Sequence, residues 1–294
     1  MDLEEINAYE KAGKIASEVR EFSLKLIKKD MKLLEIADAV ENKIVELGGE
    51  VAFPVNLSIN EIAAHYTPTP DDETLADGLL KIDFGVSIDG FIADNAFSVD
   101  LTENKEFEEM IKFNKEILEE VLESLNVNSS VKDIGNFIYE KTKESKFSVV
   151  KNLSGHSLGK NQIHAGLTIS NYKNENNIPL KEVAFAIEPF LTTGVGEIYE
   201  GKDGEIYSLN SGGNVRDVDS RKVLKFIKEK YFTRPFCRRW LVKEGFKNIN
   251  FVLSNMVRHG ILHRYPVLIE KSKKPVSQFE HTILITDKVE VTTR

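Results

Sequence analysis

Two aspartates stand inside an otherwise apolar stretch, KIDFGVSIDGFIADNAFSVD, which spans residues 81–100. The letters predict two strands joined at Asp89-Gly90, a dipeptide typical of two-residue hairpin turns. Such a turn places Gly85 opposite Asp94. Since side chains alternate between the faces of a strand, Asp83 and Asp94 are predicted to be diagonal neighbours on one face, with Gly85 leaving open space between them.

Two carboxylates that point into one core repel each other and lose hydration, which is costly unless a cation or a proton compensates. From Ile82 to Asn104 the sequence contains no lysine or arginine. A solvated sheet face is the ordinary explanation for a pair of aspartates, but the flanking residues here are mostly apolar or small. The local sequence therefore favours a metal ion, for which carboxylate oxygens are suitable ligands.

Further acidic and imidazole side chains stand in comparable places. Glu188 lies in AFAIEPF and Glu280 in QFEHTILI, each inside an apparent strand. His156 lies in LSGHSLG, His164 follows in NQIHAG, and His65 stands at the mouth of the loop before the hairpin. A lone glutamate at a strand edge or a lone histidine is usually structural. An oxygen-rich set with one imidazole, however, suits two divalent ions such as Mn, Fe, Co or Zn, which activate a water.

The remaining histidines carry less information. His259 and His263 are predicted to belong to a helical segment and to face solvent. His281 is predicted to point to the opposite face of its strand from Glu280.

The elements that must position these residues alternate between helical and extended patterns. Apolar spacing predicts helices over 3–28, 32–48, 104–125 and 131–144, the last capped around Ser130 or Asp133. Strands are predicted over 51–59, 147–153, 182–194 and 277–293. Residues 210–264 are rich in lysine and arginine and predict about three short helices, over 216–231, 235–244 and 248–259. They indicate a subdomain inserted between strands of one core.

Composition limits the class of protein. The chain has 294 residues, of which 41% are hydrophobic and 29% charged, enough for one large or two medium domains. A net charge of -8 gives no reason to expect non-specific nucleic-acid binding. Cys237 is the only cysteine, so no intramolecular disulfide can form, and neither a signal peptide nor a membrane-spanning run is evident. A soluble cytoplasmic protein is expected.

The order Asp, Asp, His, Glu, Glu in KIDFG, IADNAFSVD, SGHSLG, AIEPF and QFEHTIL resembles the methionine aminopeptidases, most closely the type 2 enzymes of archaeal form. The resemblance covers nearly the whole chain, including PVNLSINEIAAHYTP and FCRRWL. It implies an α/β (α+β) pita-bread fold, in which helices cover curved antiparallel sheets around a central metal cleft. It also implies a catalytic domain over 1–199 and 265–294, and a small helical, winged-helix-like insertion over 200–264.

The resemblance further implies two divalent metal ions per chain. Asp83 would chelate one ion, His156 and Glu188 would complete the other, and Asp94 and Glu280 would bridge both. A metal-activated hydroxide would attack the first peptide bond, with Glu188 helping to move its proton.

The same resemblance assigns the substrate site. His65 and His164 would orient the peptide, stabilise the oxyanion and assist the leaving amine. The methionine pocket would be lined by Phe53, Ile163, Phe190, Tyr265 and Leu268. The expected substrates are N-terminal methionyl peptides and nascent chains with a small second residue. The expected protein is a monomer with no membrane and no specific nucleic-acid partner, whose basic insertion is available for contact with the ribosome.

Three alternatives stay open from the sequence. The first is another pita-bread peptidase that acts at proline, although such enzymes usually carry an additional N-terminal domain and lack the helical insertion. The second is a non-catalytic binding protein on the same fold, although such relatives have typically lost metal ligands. The third is a protein whose carboxylates are simply solvated.

Overall fold

The computed structural model describes residues 1–210, 213, 215 and 217–294. Its helices are α1 (Leu3–Leu26), α2 (Leu33–Glu46), α3 (Glu108–Ser124), α4 (Val131–Thr142), α5 (Val218–Lys230), α6 (Arg238–Lys243) and α7 (Ile249–Arg258). Its strands are β1 (Glu50–Ile59), β2 (Ile62–Ala64), β3 (Leu79–Ile88), β4 (Phe91–Asp100), β5 (Ser148–Val149), β6 (Ser154–Leu158), β7 (Thr168–Ser170), β8 (Val183–Ile187), β9 (Phe190–Thr192), β10 (Ile198–Leu209), β11 (Phe236–Cys237), β12 (Leu262–Glu270), β13 (Val276–Gln278), β14 (His281–Ile285) and β15 (Val289–Val291).

The strands form antiparallel sheets with the orders β1-β3-β4, β11-β10-β12-β2, β13-β9-β5 and β15-β14-β8-β6-β7. An isolated bridge between Ala96 and Glu280 connects the β3–β4 hairpin to the strands near the C-terminus. Helices α1 and α2 pack on the hairpin sheet, while α3 and α4 cover a second apolar core beneath β8, β9 and β14. The predicted class, antiparallel sheets covered by helices, is confirmed.

The hairpin has the predicted register. Asp89 and Gly90 both have positive φ, 53° and 90°, as a type I′ turn requires. Gly85 pairs with Asp94, and Asp83 is two residues away on the same face. The diagonal placement of the two aspartates is therefore confirmed.

Strand β1 contains a bulge that the sequence did not predict. Phe53 pairs with Gly85 and Asn56 pairs with Asp83, so that three steps along β1 oppose two along β3. The additional residue lies at Pro54-Val55, where a proline is tolerated because the ladder is already interrupted. Without the bulge, Phe53 and Asn56 would point to opposite faces; with it, both face the same side of the sheet.

Two predicted element boundaries were wrong. Residues 147–153 do not form one strand, because Val150 and Lys151 donate to the carbonyls of Phe190 and Gly196 and turn the chain between β5 and β6. The third helix begins at Glu108 instead of 104, because the Asp100 carboxylate accepts hydrogen bonds from the backbone N–H groups of Thr102 and Phe107 and holds a loop there.

The basic segment, the name used here for the predicted insertion over 200–264, folds around its own apolar core, which includes Tyr207, Ile227, Phe236, Leu253 and Leu262. Its three helices are present as α5, α6 and α7, each shorter than predicted, and residue 216 lies outside the described residues. His263 was wrongly placed in a helix: it lies in β12, although it is exposed as predicted. Strands β10 and β12 run through positions 200 and 264, and the domain boundaries there stay a prediction.

In the described ranges, 1–210, 213, 215 and 217–294, no helix is long and apolar enough to cross a bilayer. Cys237 is buried.

Candidate metal centre and substrate cavity

One cavity of about 250 Å³ lies between the hairpin sheet, the loop after β6 and strands β10 and β12. All the site residues predicted from the sequence line it: Phe53, His65, Asp83, Asp94, His156, Ile163, His164, Glu188, Phe190, Tyr265, Leu268 and Glu280. These residues come from positions up to 227 apart in the chain and meet only in the fold. The cavity has a polar end, where the carboxylates converge, and an apolar wall.

Asp83 and Asp94 enter the cavity from neighbouring strands of the hairpin. Thr282 fixes the second one, since its hydroxyl accepts from the backbone N–H of Asp94 at 2.7 Å and donates to its carbonyl at 2.9 Å. The prediction of open space at Gly85 was wrong. A Cβ built on Gly85 would lie 2.4 Å from the ring of Phe53, so the aromatic ring occupies the space that the missing side chain leaves.

Glu188 does not lie inside a strand, as was predicted, but in a break between β8 and β9. Two buried amides hold this break. Asn171 donates to the carbonyl of Glu188 at 2.8 Å, and Asn114 donates to that of Pro189 at 3.0 Å. The glutamate side chain is thereby aimed into the cavity, where it keeps 13% of its surface exposed.

Glu280 lies in a second break, between β13 and β14, so its predicted place inside a strand was also wrong. Its backbone N–H donates to the carbonyl of Ala96 at 2.9 Å, and its own carbonyl accepts from Asn95 at 2.8 Å. Its side chain is buried. Next to it, His281 points away from the cavity and contacts Thr293 at 2.7 Å, in agreement with the prediction that it faces the other side.

His156, on β6, completes a compact group. Its Nε2 atom lies 3.6 Å from Oε1 of Glu188 and 3.8 Å from Oδ2 of Asp94. Ligand atoms of Asp94, His156 and Glu280 all lie within 4.8 Å of one another, a spacing that one metal ion can span.

The charges of this group are not balanced by the protein. Burial raises the pKa values of Asp83, Asp94, Glu188 and Glu280 above their usual range, and the negative charges of neighbouring carboxylates raise the last three further. Within the described part of the chain, no lysine or arginine forms an ion pair with any of the four.

Three buried carboxylate oxygens of this cluster have no hydrogen-bond partner in the described structure: Asp83 Oδ1, Asp94 Oδ1 and Glu280 Oε1. Burial also lowers the pKa of His156 to about 3, so its imidazole is neutral at pH 7 and able to bind a metal. Unpartnered oxygens, a neutral imidazole and an excess of negative charge together fit divalent cations.

Gln278 belongs to the centre although the sequence analysis did not select it. Its Nε2 atom donates to Oε2 of Glu188 at 3.2 Å. A signal was available in QFEH: Gln278 lies two residues before Glu280, the separation at which side chains share a strand face.

The two non-ligand histidines stand at the substrate end. His65 has a left-handed backbone, with φ of 66°, and its Nδ1 lies 3.3 Å from the carbonyl of Pro266. Burial lowers the pKa of His65 to about 4. The His164 ring packs edge-on against that of His156, with centroids 4.3 Å apart, and the His65 ring lies 5.6 Å from that of Tyr265.

Other cavity residues could not be selected from the sequence, because they carry no chemistry that distinguishes them. They are Asn56, Ala64, Asn152, Leu153, Ser154, Ile206 and Pro235. Ile206 and Pro235 extend the basic segment into the cavity wall.

The family model described as Metallopeptidase family M24 matches residues 7–287. The chain is 41% identical to the methionine aminopeptidase of Methanocaldococcus jannaschii over 297 residues, which cover 99% of this chain and 100% of that protein. It is 44% identical to the methionine aminopeptidase of Pyrococcus horikoshii over 290 residues, covering 96% and 97% of the two chains.

Solved structures with low identity share the fold. A methionine aminopeptidase from Thermotoga maritima superposes with a TM-score of 0.72 at 20% identity and covers 100% of this chain and 98% of that one. A thermophilic Arx1 has a TM-score of 0.83 at 18% identity, with 99% and 91% covered. A prolidase from Pyrococcus furiosus has a TM-score of 0.61 at 17% identity, and only 64% of that chain is covered. The pita-bread fold expected from the resemblance is confirmed.

Proposed function

The chain belongs to metallopeptidase family M24, and from this premise we propose how its cavity removes the N-terminal methionine from peptides and nascent proteins. The chain is a hydrolase of the aminopeptidase class. One observation carries the proposal: four carboxylates and the imidazole of His156 converge on a cavity that also has an apolar wall, and no lysine or arginine in the described part of the chain forms an ion pair with these carboxylates.

The cluster binds divalent metal, and we assign two ions to it. Asp83 would hold one ion, His156 and Glu188 the other, and Asp94 and Glu280 would serve both. Four carboxylates neutralise two dications, which accounts for the imbalance of charge in the protein alone. The oxygen-rich set with one imidazole suits Co, Mn, Fe and Zn.

When bound, paired ions of this kind lower the pKa of a water and polarise the carbonyl that it attacks. Glu188 is the residue assigned to the proton of that water. Burial and the charges of Asp83 and Asp94 raise the pKa of Glu188 above the usual range of a carboxyl, which favours its role in accepting that proton and passing it on. Gln278 donates to Glu188 and so holds one carboxylate oxygen in place.

His65 and His164 are assigned to the peptide. His65 is neutral at pH 7 because burial lowers its pKa to about 4, so its ring can donate a hydrogen bond without carrying a charge. His164 lies on the cavity rim beside the metal end. From these places the two rings can orient the scissile carbonyl, stabilise the oxyanion and assist the leaving amine.

The methionine side chain is assigned to the apolar wall. Phe53, Phe190 and Leu268 are buried there and offer the aromatic and aliphatic contacts that a thioether favours. At about 250 Å³ the cavity is smaller than typical drug-sized pockets, so it suits one side chain and its adjoining backbone. A small second residue is expected, because the space between His65 and His164 must hold it.

Wider aspects of the function stay predictions. They are the cytoplasmic location, the monomeric state, contact of the basic segment with the ribosome, and the absence of membrane and specific nucleic-acid partners. Proline-specific peptidases remain the closest competing class, and the chain spans about two thirds of the prolidase whose fold it shares.

The test is release of methionine from tripeptides of the form Met-Xaa-Ser. Protein stripped with chelator is reloaded with Co, Mn, Fe or Zn and assayed with Gly, Ala, Leu or Phe as the second residue. We expect release with the small residues and little with the large ones. Hydrolysis of Xaa-Pro peptides in preference to Met-Ala-Ser would assign the chain to the competing class.

A matched pair of variants links the activity to the site. Glu280→Gln removes a carboxylate of the cluster, whereas Glu270→Gln alters another buried glutamate, one that accepts from the backbone of Val195 and Ser272 instead. We expect loss of bound metal and of activity only in the first. Full activity of Glu280→Gln would contradict the metal site.

A further inference from the structure

A buried cluster of charges, separate from the metal centre, joins the basic segment to helix α2. Arg239 is 1% exposed. Its Nη1 atom donates to Oε2 of Glu41 and its Nη2 atom to Oε1, both at 2.7 Å. Nη1 also donates to Asp38 at 2.8 Å. Trp240 adds a bond from its indole N–H to Glu41 at 2.8 Å. A two-pronged guanidinium–carboxylate contact of this kind fixes both distance and angle.

Glu41 also contacts strand β1, which contributes residues to the cavity. Its Oε1 atom accepts from the backbone N–H of Val55 at 3.3 Å. Val55 lies in the β1 bulge, where the ladder to β3 is interrupted and a buried N–H needs another acceptor. The bulge turns Phe53 and Asn56 toward the same side, and both line the cavity.

Arg239 reaches the opposite wall as well. Its Nε atom donates to the carbonyl of Pro68 at 3.4 Å, three residues beyond His65. Pro235, four residues before Arg239, itself lines the cavity. Neither Glu41 nor Arg239 lines the cavity, so each acts on it only through other residues.

We propose that Glu41 and Arg239 are positioning residues that set the width of the cavity for the N-terminal side chain. Glu41 holds the bulge that aims Phe53, and Arg239 ties the bulge to the wall that carries His65 and Pro235. The inference rests on the proposed function for its substrate, but the placement of the bulge can be tested without any substrate.

Stability and positioning can be separated with apolar replacements. Arg239→Met alone leaves the buried Glu41 carboxylate without its guanidinium, which is strongly destabilising. The double variant Glu41→Leu/Arg239→Met removes both charges and keeps similar volumes, a replacement that is often neutral or stabilising. It still removes the acceptor for Val55, so a positioning role remains visible after stability has recovered.

The experiment compares wild type, both variants and the control Lys230→Met/Glu244→Leu, which removes an exposed ion pair of the same segment. The readouts are the melting temperature, bound metal, hydrogen exchange of the Val55 amide, and KM and kcat for Met-Ala-Ser. We expect Arg239→Met to lower the melting temperature by about 10 °C. The double variant should recover most of the lost melting temperature and keep its metal. Its Val55 amide should exchange faster than in wild type, and its KM should be about tenfold higher with kcat nearly unchanged.

A double variant with the KM and the Val55 protection of wild type would overturn the proposal. So would a rise in KM that comes with loss of metal, since that indicates general collapse of the site. If wild type itself releases no methionine, the proposed function fails, while Val55 exchange still decides whether Glu41 holds the bulge.

Discussion

Phe53 lies so close to Gly85 that a Cβ atom at position 85 would be 2.4 Å from Cε1 of the ring. Gly85 also stands opposite Asp94 in the hairpin, so one missing side chain brings the apolar wall and the metal end together. The aspartates and the aromatic ring therefore share a single face of the β1-β3-β4 sheet.

Gly85→Ala is expected to displace the Phe53 ring, because no atom can remain at 2.4 Å from a Cβ. Overpacking of this kind typically costs about 1–3 kcal/mol of unfolding free energy. We also expect KM for methionyl peptides to rise, since the ring lines the cavity. Denaturant unfolding and steady-state kinetics measure the two effects.

The double variant Gly85→Ala/Phe53→Leu supplies the control for this clash. A smaller side chain at position 53 should recover part of the lost stability, which gives a favourable coupling energy in a double-mutant cycle. Strictly additive effects would show that the ring is not the group that the new methyl meets.

The turn and register of the β3–β4 hairpin could be predicted from the sequence because they depend only on residues within the hairpin. Asp89-Gly90 determines the turn, and the turn determines the register that places Asp83 and Asp94 on one face. The role of Gly85 could not be predicted in the same way. It depends on the β1 bulge, and the N–H freed there is accepted by Glu41, a residue of another element.

The breaks at Glu188 and Glu280 show the same limit. The letters around each glutamate are rich in residues that favour strands, and the sequence analysis therefore predicted unbroken strands, although Pro189 directly after Glu188 was a signal for a break. The breaks are stabilised by Asn114, Asn171 and Asn95, whose partners are 75, 17 and 185 residues away in sequence. The sequence nevertheless predicted that both glutamates belong to the metal site. An acidic residue among apolar neighbours indicates a special role whether or not the strand is broken there.

The stability that the cluster carboxyls contribute to the metal-free protein should fall as pH rises above about 6.5. Burial raises the folded pKa values of the cluster carboxyls above their unfolded ones, that of Asp83 to about 7, so the stability they contribute is present below the unfolded values and is lost as pH rises through the folded ones. Starting at 6.5 avoids the histidines, whose lowered pKa values act in the opposite direction below that pH. Burial lowers the pKa of Lys81 to about 7, which opposes the trend above pH 7, so the measurement compares loaded with stripped protein, which both contain this lysine.

Metal should reverse this trend, because it binds the ionised carboxylates. We therefore expect the melting temperatures of loaded and stripped protein to diverge between pH 6.5 and about 8.5, as calorimetry at constant ionic strength can measure. Stripped Glu280→Gln has one fewer buried charge and should lose less stability over this range. If the difference in melting temperature between loaded and stripped protein stays constant with pH, the cluster carboxyls do not ionise over this range.

Gln278→Met is expected to weaken metal binding by about 10- to 100-fold, the usual effect of losing a hydrogen bond to a metal ligand. The replacement keeps the length of the side chain but removes the N–H group that reaches Glu188. Titration calorimetry with Mn or Co measures the affinity directly. Thr142→Val, which loses a buried hydroxyl bond within α4, is the control for stability. Equal metal affinity in Gln278→Met and Thr142→Val would show that the amide does not hold the ligands.

His164→Ala should lower kcat by about 10²- to 10⁴-fold while the protein keeps its metal, because the ring is assigned to the peptide and not to the cluster. Its contact with His156 is edge-on between rings, 4.3 Å from centroid to centroid, and not a hydrogen bond. His259→Ala removes an exposed imidazole bonded to the carbonyl of Asn255 and should leave kcat unchanged. Metal content by mass spectrometry, measured beside the kinetics, decides between the two roles. If His164→Ala loses metal in proportion to activity, the ring supports His156 and has no separate part in the reaction.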